Sequence, residues 1–174
     1  TAKAVFDAVA WKKPLVSRVV TITGDAVKEP KNLEIRIGTA FQEAVDYCGG
    51  LTEDAKKIIM GGPMMGMAQH SLEVPVVKGT SGILALSEKA SILPVEEPCI
   101  QCARCVEICP MGLLPTTIAR LSEFDRFETA EEKGILNCIE CGSCSYICPA
   151  SRYLIQYIRY GKNKIMQAKR KAQA

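Results

Sequence analysis

In the first 90 residues, segments whose apolar residues have helical spacing alternate with segments that have the pattern of strands. Apolar residues at helical spacing predict a short helix over residues 2–12, which Pro14 ends. A β-branched segment at Ser17–Thr23 and an alternating segment at residues 33–37 predict two strands. This part of the chain is therefore expected to open with a helix and a connection, residues 1–16, and then to build a small sheet.

A second helix and more strands are predicted to follow. Thr39 and Gln42 have the spacing of a capping box, which predicts a helix of about nine residues that ends near Cys48, before two glycines. Three further strands are predicted, at residues 57–60, 74–77 and 83–86. The fold class expected for residues 17–90 is therefore a small α+β domain.

The remainder of the chain is predicted to be mainly helical. Residues 91–98, with two prolines and two glutamates, predict a linker. Pro115 at a first helical turn predicts a helix to about residue 124, and residues 129–135 predict another. Residues 153–166 have the pattern of a basic amphipathic helix, which is expected to fray at residues 169–171.

The cysteines are the most informative residue type. Eight of the nine form two copies of C-x2-C-x2-C-x3-C-P, at Cys99, Cys102, Cys105 and Cys109 and at Cys138, Cys141, Cys144 and Cys148. Three cysteines on one tight loop can point their sulfurs at a common centre, and in duplicated motifs of this spacing the cysteine before proline serves the other cluster. The pattern thus predicts two [4Fe-4S] clusters, one held by Cys99, Cys102, Cys105 and Cys148, the other by Cys138, Cys141, Cys144 and Cys109.

Zinc and disulfides are the alternatives to iron-sulfur clusters. Structural zinc sites use two separated C-x2-4-C pairs, a different spacing from three cysteines in seven residues. Disulfides need an oxidising compartment, and the chain shows no signal peptide. Residues 99–150 are therefore predicted to be a ferredoxin-like domain that relays single electrons, with no catalytic residue of its own. Its small residues, Gly112, Gly142 and Ser143, are expected to let backbone N–H groups approach the sulfurs.

Other candidate sites in the sequence are weak. Cys48 lies on the apolar face of its helix and is expected to be a buried small apolar residue. His70 has no evident partner and is expected at the surface. The glycine-rich turn at residues 61–66 lacks the following helix of a phosphate-binding loop. Three methionines in and beside this turn, Met64, Met65 and Met67, are expected to fill the core rather than to contact a partner.

Composition and charge leave few function classes open. The 174 residues, 48% of them apolar and 24% charged, are typical of one globular domain or two small ones. The net charge of +3 divides into about −1 for residues 1–98, −3 for residues 99–150 and +7 for the tail, residues 151–174. A docking role for this tail and a role in offsetting cluster charge are equally compatible with the sequence. No apolar stretch is long enough to predict a membrane span.

Several segments together resemble a known family. These are SRVVTITGDAVKEPKNLEIRIGT, GGPMMGMA, CIQCARCVEICPMGLLP, CIECGSCSYICP and LIQYIRYGK. They closely resemble the C subunit of the Rnf electron-transport complex, and the resemblance extends over nearly the whole chain. It implies that residues from about 17 to 72 form a soluble-ligand-binding β-grasp domain, and that residues from about 96 onward form a helical two-cluster ferredoxin domain.

The resemblance also implies a setting. The family's subunit is peripheral, on the cytoplasmic face of a bacterial membrane, within an enzyme complex that couples electron exchange between ferredoxin and NAD to ion movement. Its partners are the other subunits, and the β-grasp domain is expected to contact them rather than a small ligand. In that family an FMN- and NADH-binding domain precedes the β-grasp domain. Because this sequence begins at Thr1 without it, a C-terminal fragment is expected, with no flavin or nicotinamide residues.

Two other functions compete with this one. A flavin-dependent cobalamin reductase of bacterial microcompartments shares the domain order, but the match around the second cysteine motif and the YIRYGK segment weighs against it. A cluster protein that binds nucleic acid through its basic tail is disfavoured because no groove-reading motif precedes the tail. No nucleic-acid partner is therefore predicted.

Overall fold

The computed structural model describes residues 1–172, which form two compact units. One unit comprises Thr1–Ile92 and the other begins at Leu93. The last two residues of the predicted basic tail, 173 and 174, lie outside the described residues. None of the helices in the described part of the chain combines the length and the apolar content that crossing a bilayer requires.

The first unit combines a five-stranded mixed sheet with three helices, so that it is α+β as predicted. In chain order its elements are α1 (Ala2–Trp11), β1 (Ser17–Thr23), β2 (Lys31–Arg36), α2 (Phe41–Tyr47), β3 (Ala55–Met60), β4 (Met67–Gln69), β5 (Gly82–Ser87) and α3 (Glu88–Ser91). The strand order is β2-β1-β5-β3-β4. Strands β1 and β5 are parallel, and the other neighbours are antiparallel.

The core of this unit lies between the sheet and α2. Val20 and Ile22 of β1 and Phe41 and Val45 of α2 are fully buried together. Burying each such side chain contributes about 1.5–3 kcal/mol. Cys48, just beyond α2, is also fully buried in this cluster, which confirms that it is a small apolar core residue.

The beginning of α2 differs from the prediction. The N-cap is Ala40, which makes no side-chain capping bond, and Gln42 instead donates from Nε2 to Asp46. The first backbone N–H groups of the helix, those of Phe41 and Gln42, donate to the carbonyls of Val74 and Leu72 at 3.0 and 2.9 Å. The predicted capping box is therefore wrong, because carbonyls from a distant segment already accept these bonds.

The segment that accepts these bonds is predicted to be a strand at residues 74–77, and this too is wrong. It makes a single bridge, between Ala40 and Pro75, and otherwise has no regular secondary structure. Its carbonyls face the start of α2 and the turn before it, since Val76 accepts from the N–H of Gly38 at 2.8 Å.

Replacing Thr39 with alanine should consequently have little effect. A threonine that caps a helix typically contributes about 1 kcal/mol, whereas an uninvolved surface side chain contributes within about 0.5 kcal/mol. We expect the free energy of unfolding of Thr39→Ala to lie within about 0.5 kcal/mol of the parent value in denaturant titrations. A decrease of about 1 kcal/mol in the free energy of unfolding would instead indicate that the Thr39 side chain caps the helix.

The glycine-rich turn leads to an edge strand that the pattern did not predict. Strand β4 pairs with β3, and the methionines in and beside the turn are largely exposed, Met64 by 43%, Met65 by 55% and Met67 by 58%. The prediction that they fill the core is therefore wrong, because they lie on the turn and the outermost strand. His70 is exposed, as predicted.

The second unit is helical. Its elements are α4 (Arg104–Glu107), α5 (Pro115–Glu123), α6 (Phe127–Glu132), a 3-10 turn (Ile135–Asn137), α7 (Ser143–Tyr146) and α8 (Leu154–Ala172). Pro115 begins α5, which confirms that prediction. The helix predicted over residues 129–135 is instead two elements, because Gly134 adopts a left-handed conformation between them. The predicted fraying after residue 168 is wrong: α8 continues to Ala172, and Lys169 pairs with Glu131.

The duplicated motif is visible as a structural repeat with an offset of 39 residues. Helix α4 corresponds to α7, and α5 corresponds to the first half of α8. Ser122 and Gly161 are equivalent positions in this repeat, and they touch: a Cβ atom on Gly161 would lie 2.2 Å from the Ser122 hydroxyl oxygen. The two long helices of the unit thus cross at their equivalent points.

Candidate metal centres

The eight cysteines of the repeat line two separate cavities in the second unit. Those around the first cavity, of about 190 Å³, are Cys99, Cys102, Cys105 and Cys148. Those around the second, with about 20 Å³ of free space, are Cys109, Cys138, Cys141 and Cys144. Each set combines three cysteines of one motif with the cysteine that precedes proline in the other motif.

Both cavities have mainly apolar walls from the helices of the repeat. Leu154, at the start of α8, lines the first cavity, and Ile158, one turn further on, lines the second. Ile118 of α5 also lines the second cavity. Because α8 contributes to both walls, its packing against α5 holds the two cysteine sets in place.

The loops that carry the first cysteines of each motif have matching backbone geometry. Gln101 and Glu140 are equivalent in the repeat and have φ of 56° and 58°. Two residues further on, Ala103 and Gly142 are also equivalent and have φ of 61° and 81°. This left-handed backbone conformation is unfavourable for most residues other than glycine. Residues in this conformation turn the chain tightly enough for three sulfurs to face one side.

Backbone donors reach the sulfurs from these turns. The N–H groups of Gln101 and Glu140 donate to the sulfurs of Cys99 and Cys138, each at 3.4 Å. Sequence reasoning missed both residues, although their equivalent place in the two motifs was a usable signal. Ser143 was expected to provide such donors, and it donates to Cys141 from its hydroxyl and its backbone N–H, which lowers the pKa of that thiol.

Burial has the opposite effect on other thiols of the second cavity. It raises the pKa of Cys144 to about 11 and also raises the pKa of Cys138. Thiols with a raised pKa keep their protons at neutral pH, so metal binding must displace those protons. In the first cavity the sulfur of Cys105 lies 3.0 Å from the hydroxyl of Thr116, within hydrogen-bonding distance.

Charged side chains surround the first cavity at one edge. Arg152, which lines it, forms ion pairs with Glu96 at 3.2 Å and with Glu123 at 3.1 Å. The backbone N–H of Tyr153 also donates to Glu96. These contacts tie the segment before the first motif to the segment after the second.

A different charged group lies beside the second cavity. Glu140 pairs with Arg159 at 3.1 Å and with Lys162 at 3.0 Å, both from α8. Lys162 also donates to the backbone carbonyl of Cys138 at 2.7 Å. The sequence showed a basic α8 but gave no sign that two of its cations face a cysteine loop.

These features fit sulfur-ligated clusters. Within Thr1–Ala172, no three histidine, cysteine or carboxylate side chains lie close enough together to bind a single metal ion. The sulfurs instead surround apolar spaces, with N–H groups aimed at Cys99 and Cys138. Four thiolates around a mainly apolar cavity, with hydrogen bonds to sulfurs, are suitable surroundings for a [4Fe-4S] cluster.

Comparisons with known proteins agree with both units. Residues 19–68 match the family described as SLBB domain, and residues 92–149 match the family described as 4Fe-4S dicluster domain. The chain is 49% identical over 165 residues to the C subunit of the proton-translocating ferredoxin:NAD(+) oxidoreductase complex of Clostridium ljungdahlii, covering 94% of this chain and 36% of that protein.

Two further relatives are similar to the chain at comparable levels. The C subunit of the Na(+)-translocating ferredoxin:NAD(+) oxidoreductase complex of Acetobacterium woodii is 44% identical over 171 residues, covering 98% of this chain and 39% of that protein. The C subunit of the ion-translocating oxidoreductase complex of Methanosarcina acetivorans is 43% identical over 169 residues, covering 97% of this chain and 38% of that protein. The chain spans less than two fifths of the length of each of the three relatives. These names do not favour the cobalamin-reductase alternative. Over nearly its whole length, the chain is homologous to part of the C subunits of ion-translocating oxidoreductase complexes, the Rnf family.

Proposed function

We propose that this chain relays single electrons through two [4Fe-4S] clusters within a membrane-associated ferredoxin/NAD oxidoreductase complex that is coupled to ion translocation. The observation that carries the proposal is the division of eight cysteines between two cavities in the second unit. A [4Fe-4S] cluster supplies one-electron redox chemistry, and one with a cysteine ligand on each iron has no open position for a substrate, so it suits a relay.

The proposed ligands follow the crossed arrangement. The first cluster is held by Cys99, Cys102, Cys105 and Cys148, and the second by Cys138, Cys141, Cys144 and Cys109. The arrangement of the cavities supports this assignment, because each contains one cysteine from the other motif. Crossed ligation makes both motifs necessary to both clusters, and couples folding of the unit to metal binding.

The first unit is proposed to have the β-grasp arrangement and to contact neighbouring subunits. Support comes from the match to the SLBB family and from a mixed sheet whose core packs against α2. The proposed functional divisions are a leading helix and connection over residues 1–16, the β-grasp domain over residues 17–90, a linker over residues 91–98, the cluster domain over residues 99–150 and the basic segment over residues 151–174.

The proposed setting is the cytoplasmic face of a bacterial cell membrane, where the chain is peripheral and its partners are the other subunits of the complex. Relatives named as subunits of ferredoxin:NAD(+) oxidoreductase complexes support this setting. FMN and NAD(H) are proposed to bind in a domain upstream of the segment described. In this arrangement the two clusters connect a flavin to a carrier elsewhere in the complex.

Anaerobic iron analysis combined with EPR spectroscopy of the reduced protein tests the relay. We expect about eight irons per chain and a spectrum of two interacting reduced clusters. About four irons, or zinc in their place, would contradict the proposal. Copurification of the full-length protein with membrane-bound partners supports the proposed setting, and copurification with a corrinoid enzyme opposes it.

A further inference from the structure

We propose that Lys162 is a positioning residue that raises the reduction potential of the second cluster. The ammonium group of Lys162 is fixed beside the cysteine loop of that cluster, where a positive charge favours the reduced state. This inference rests on the proposed relay function, and it concerns a side chain that is not itself a ligand.

The contacts fix the ammonium group from two sides. Nζ donates to the carbonyl oxygen of Cys138 at 2.7 Å and pairs with Oε1 of Glu140 at 3.0 Å. The other carboxylate oxygen of Glu140 accepts from Nε of Arg159 at 3.1 Å. Because Glu140 also donates its backbone N–H to the sulfur of Cys138, the lysine is held against the same loop that carries the ligand.

The surroundings allow this charge to act on the cluster. The side chains of Lys162 and Glu140 are only 23% and 32% exposed, so water screens them less than it screens a free surface lysine. Lys162 contributes one positive charge beside the loop that carries Cys138. Reduction adds an electron to the cluster, so a nearby positive charge stabilises the product of reduction.

The first motif has no equivalent of this arrangement. The positions that correspond to Glu140 and Lys162 are Gln101, which is neutral, and Glu123, which is acidic. Glu123 pairs with Arg152 instead. Both motifs therefore have a backbone N–H that donates to a cysteine sulfur, that of Gln101 in the first and that of Glu140 in the second. The ammonium contact of Lys162 occurs at the second motif and has no counterpart at position 123.

The first cavity has cations of its own along its wall, Arg104 and Arg152. The effect of Lys162 is therefore measured by comparing the midpoint potential of the second cluster before and after substitution. It is not measured by which of the two clusters has the higher potential. Such a shift is measurable by a redox titration followed by EPR on the full, cluster-loaded chain.

The test uses two substitutions with opposite expected effects. Lys162→Met keeps the length of the side chain but removes its charge, and should shift the reduction equilibrium of one cluster about tenfold towards the oxidised state, which lowers its midpoint potential by about 59 mV for one electron. Glu140→Gln removes the carboxylate and introduces the residue type of position 101, and should raise the same midpoint. General damage to the fold gives no reason to expect shifts of opposite sign that follow the sign of the charge removed.

Two controls separate a local field from total charge. Lys164→Met makes the same change in net charge at an exposed position of α8, where the ammonium group lies over the ring of Tyr160, and should leave both midpoints unchanged. Lys162→Arg keeps the charge and should keep the midpoint near its parent value. All variants are compared at equal iron content.

The inference is overturned if Lys162→Met and Glu140→Gln move no midpoint, if they move it in the same direction, or if Lys164→Met moves it as far. If Lys162→Met loses iron, the test rests on Glu140→Gln alone, and a midpoint potential that does not rise in this variant overturns the inference. An iron content of about four in the parent chain would instead contradict the relay itself, so the two failures are distinguishable.

Discussion

Replacing Cys109 with alanine is expected to remove the second cluster and to leave the first, lowering the iron content from about eight to about four per chain. Cys109 belongs by sequence to the first motif, but its side chain lines the cavity of Cys138, Cys141 and Cys144. A cluster that lacks one of its four thiolates is left open to solvent at an iron, and cluster binding stabilises the unit only when its ligands are complete.

The identity of the surviving cluster is the sharper measurement. EPR spectra of reduced Cys109→Ala and Cys138→Ala should match each other, and those of Cys99→Ala and Cys148→Ala should form a second matching pair. If Cys109→Ala instead resembles Cys99→Ala, each motif binds its own cluster and the crossed assignment is wrong. Cys48→Ala is the matched control, since this buried cysteine lies in the core of the first unit and should leave the iron content unchanged.

The local chemistry of this chain could be predicted from sequence, because it depends on neighbours along the chain. The strand at Ser17–Thr23 and the helix that begins at Pro115 follow from β-branched spacing and from the suitability of proline for a first helical turn. Cysteine spacing indicated cluster chemistry for the same reason, since it fixes which sulfurs can share one loop. The crossed ligand set stays a prediction.

Features that depend on distant partners could not be predicted in this way. The capping box at Thr39 and Gln42 had suitable residues, but the carbonyls of Leu72 and Val74 accept the bonds from the start of α2. The methionines of the turn are apolar, yet Met64 is 43% exposed because the turn leads into the edge strand of the sheet. Only the position of a residue in the sheet, which spacing does not encode, determines such burial.

The polar environment of the cysteine loops was missed for a related reason. The residues next to Glu140 in the sequence give no sign of a polar site. Glu140 forms one because it pairs with Lys162, which is more than 20 residues away in the sequence. Comparing the two motifs position by position would have found it, because Gln101 and Glu140 occupy the same place and differ in charge. Internal duplication therefore carries information beyond the shared cysteines.

Replacing Gly161 with alanine should destabilise the second unit, although alanine is the better helix former. In an open helix this change would be favourable by about 1 kcal/mol. Here the added Cβ would lie 2.2 Å from the hydroxyl oxygen and 2.8 Å from the Cβ of Ser122, and 3.0 Å from Cδ1 of Ile135. Overpacking of this kind typically costs about 1–3 kcal/mol, and here it forces α5 and α8 apart.

We expect a net loss of about 2 kcal/mol, which in a unit of this size lowers the unfolding temperature by roughly 10 °C. The unfolding temperature is read from the loss of cluster absorbance on heating. Asn163→Ala, an exposed change on the same helix, is the control and should shift it little.

The equivalence of Ser122 and Gly161 in the repeat supplies a stricter test. Ser122→Gly in the Gly161→Ala background moves the glycine to the other helix of the crossing and removes both close contacts with Ser122. The double variant should therefore be more stable than the sum of the single effects, with a coupling of about 1 kcal/mol or more, as expected for residues in direct contact. Additive effects would mean that the two helices do not meet at these residues. Since Leu154 and Ile158 of α8 line the two cavities, the same separation should also speed the loss of iron to a chelator.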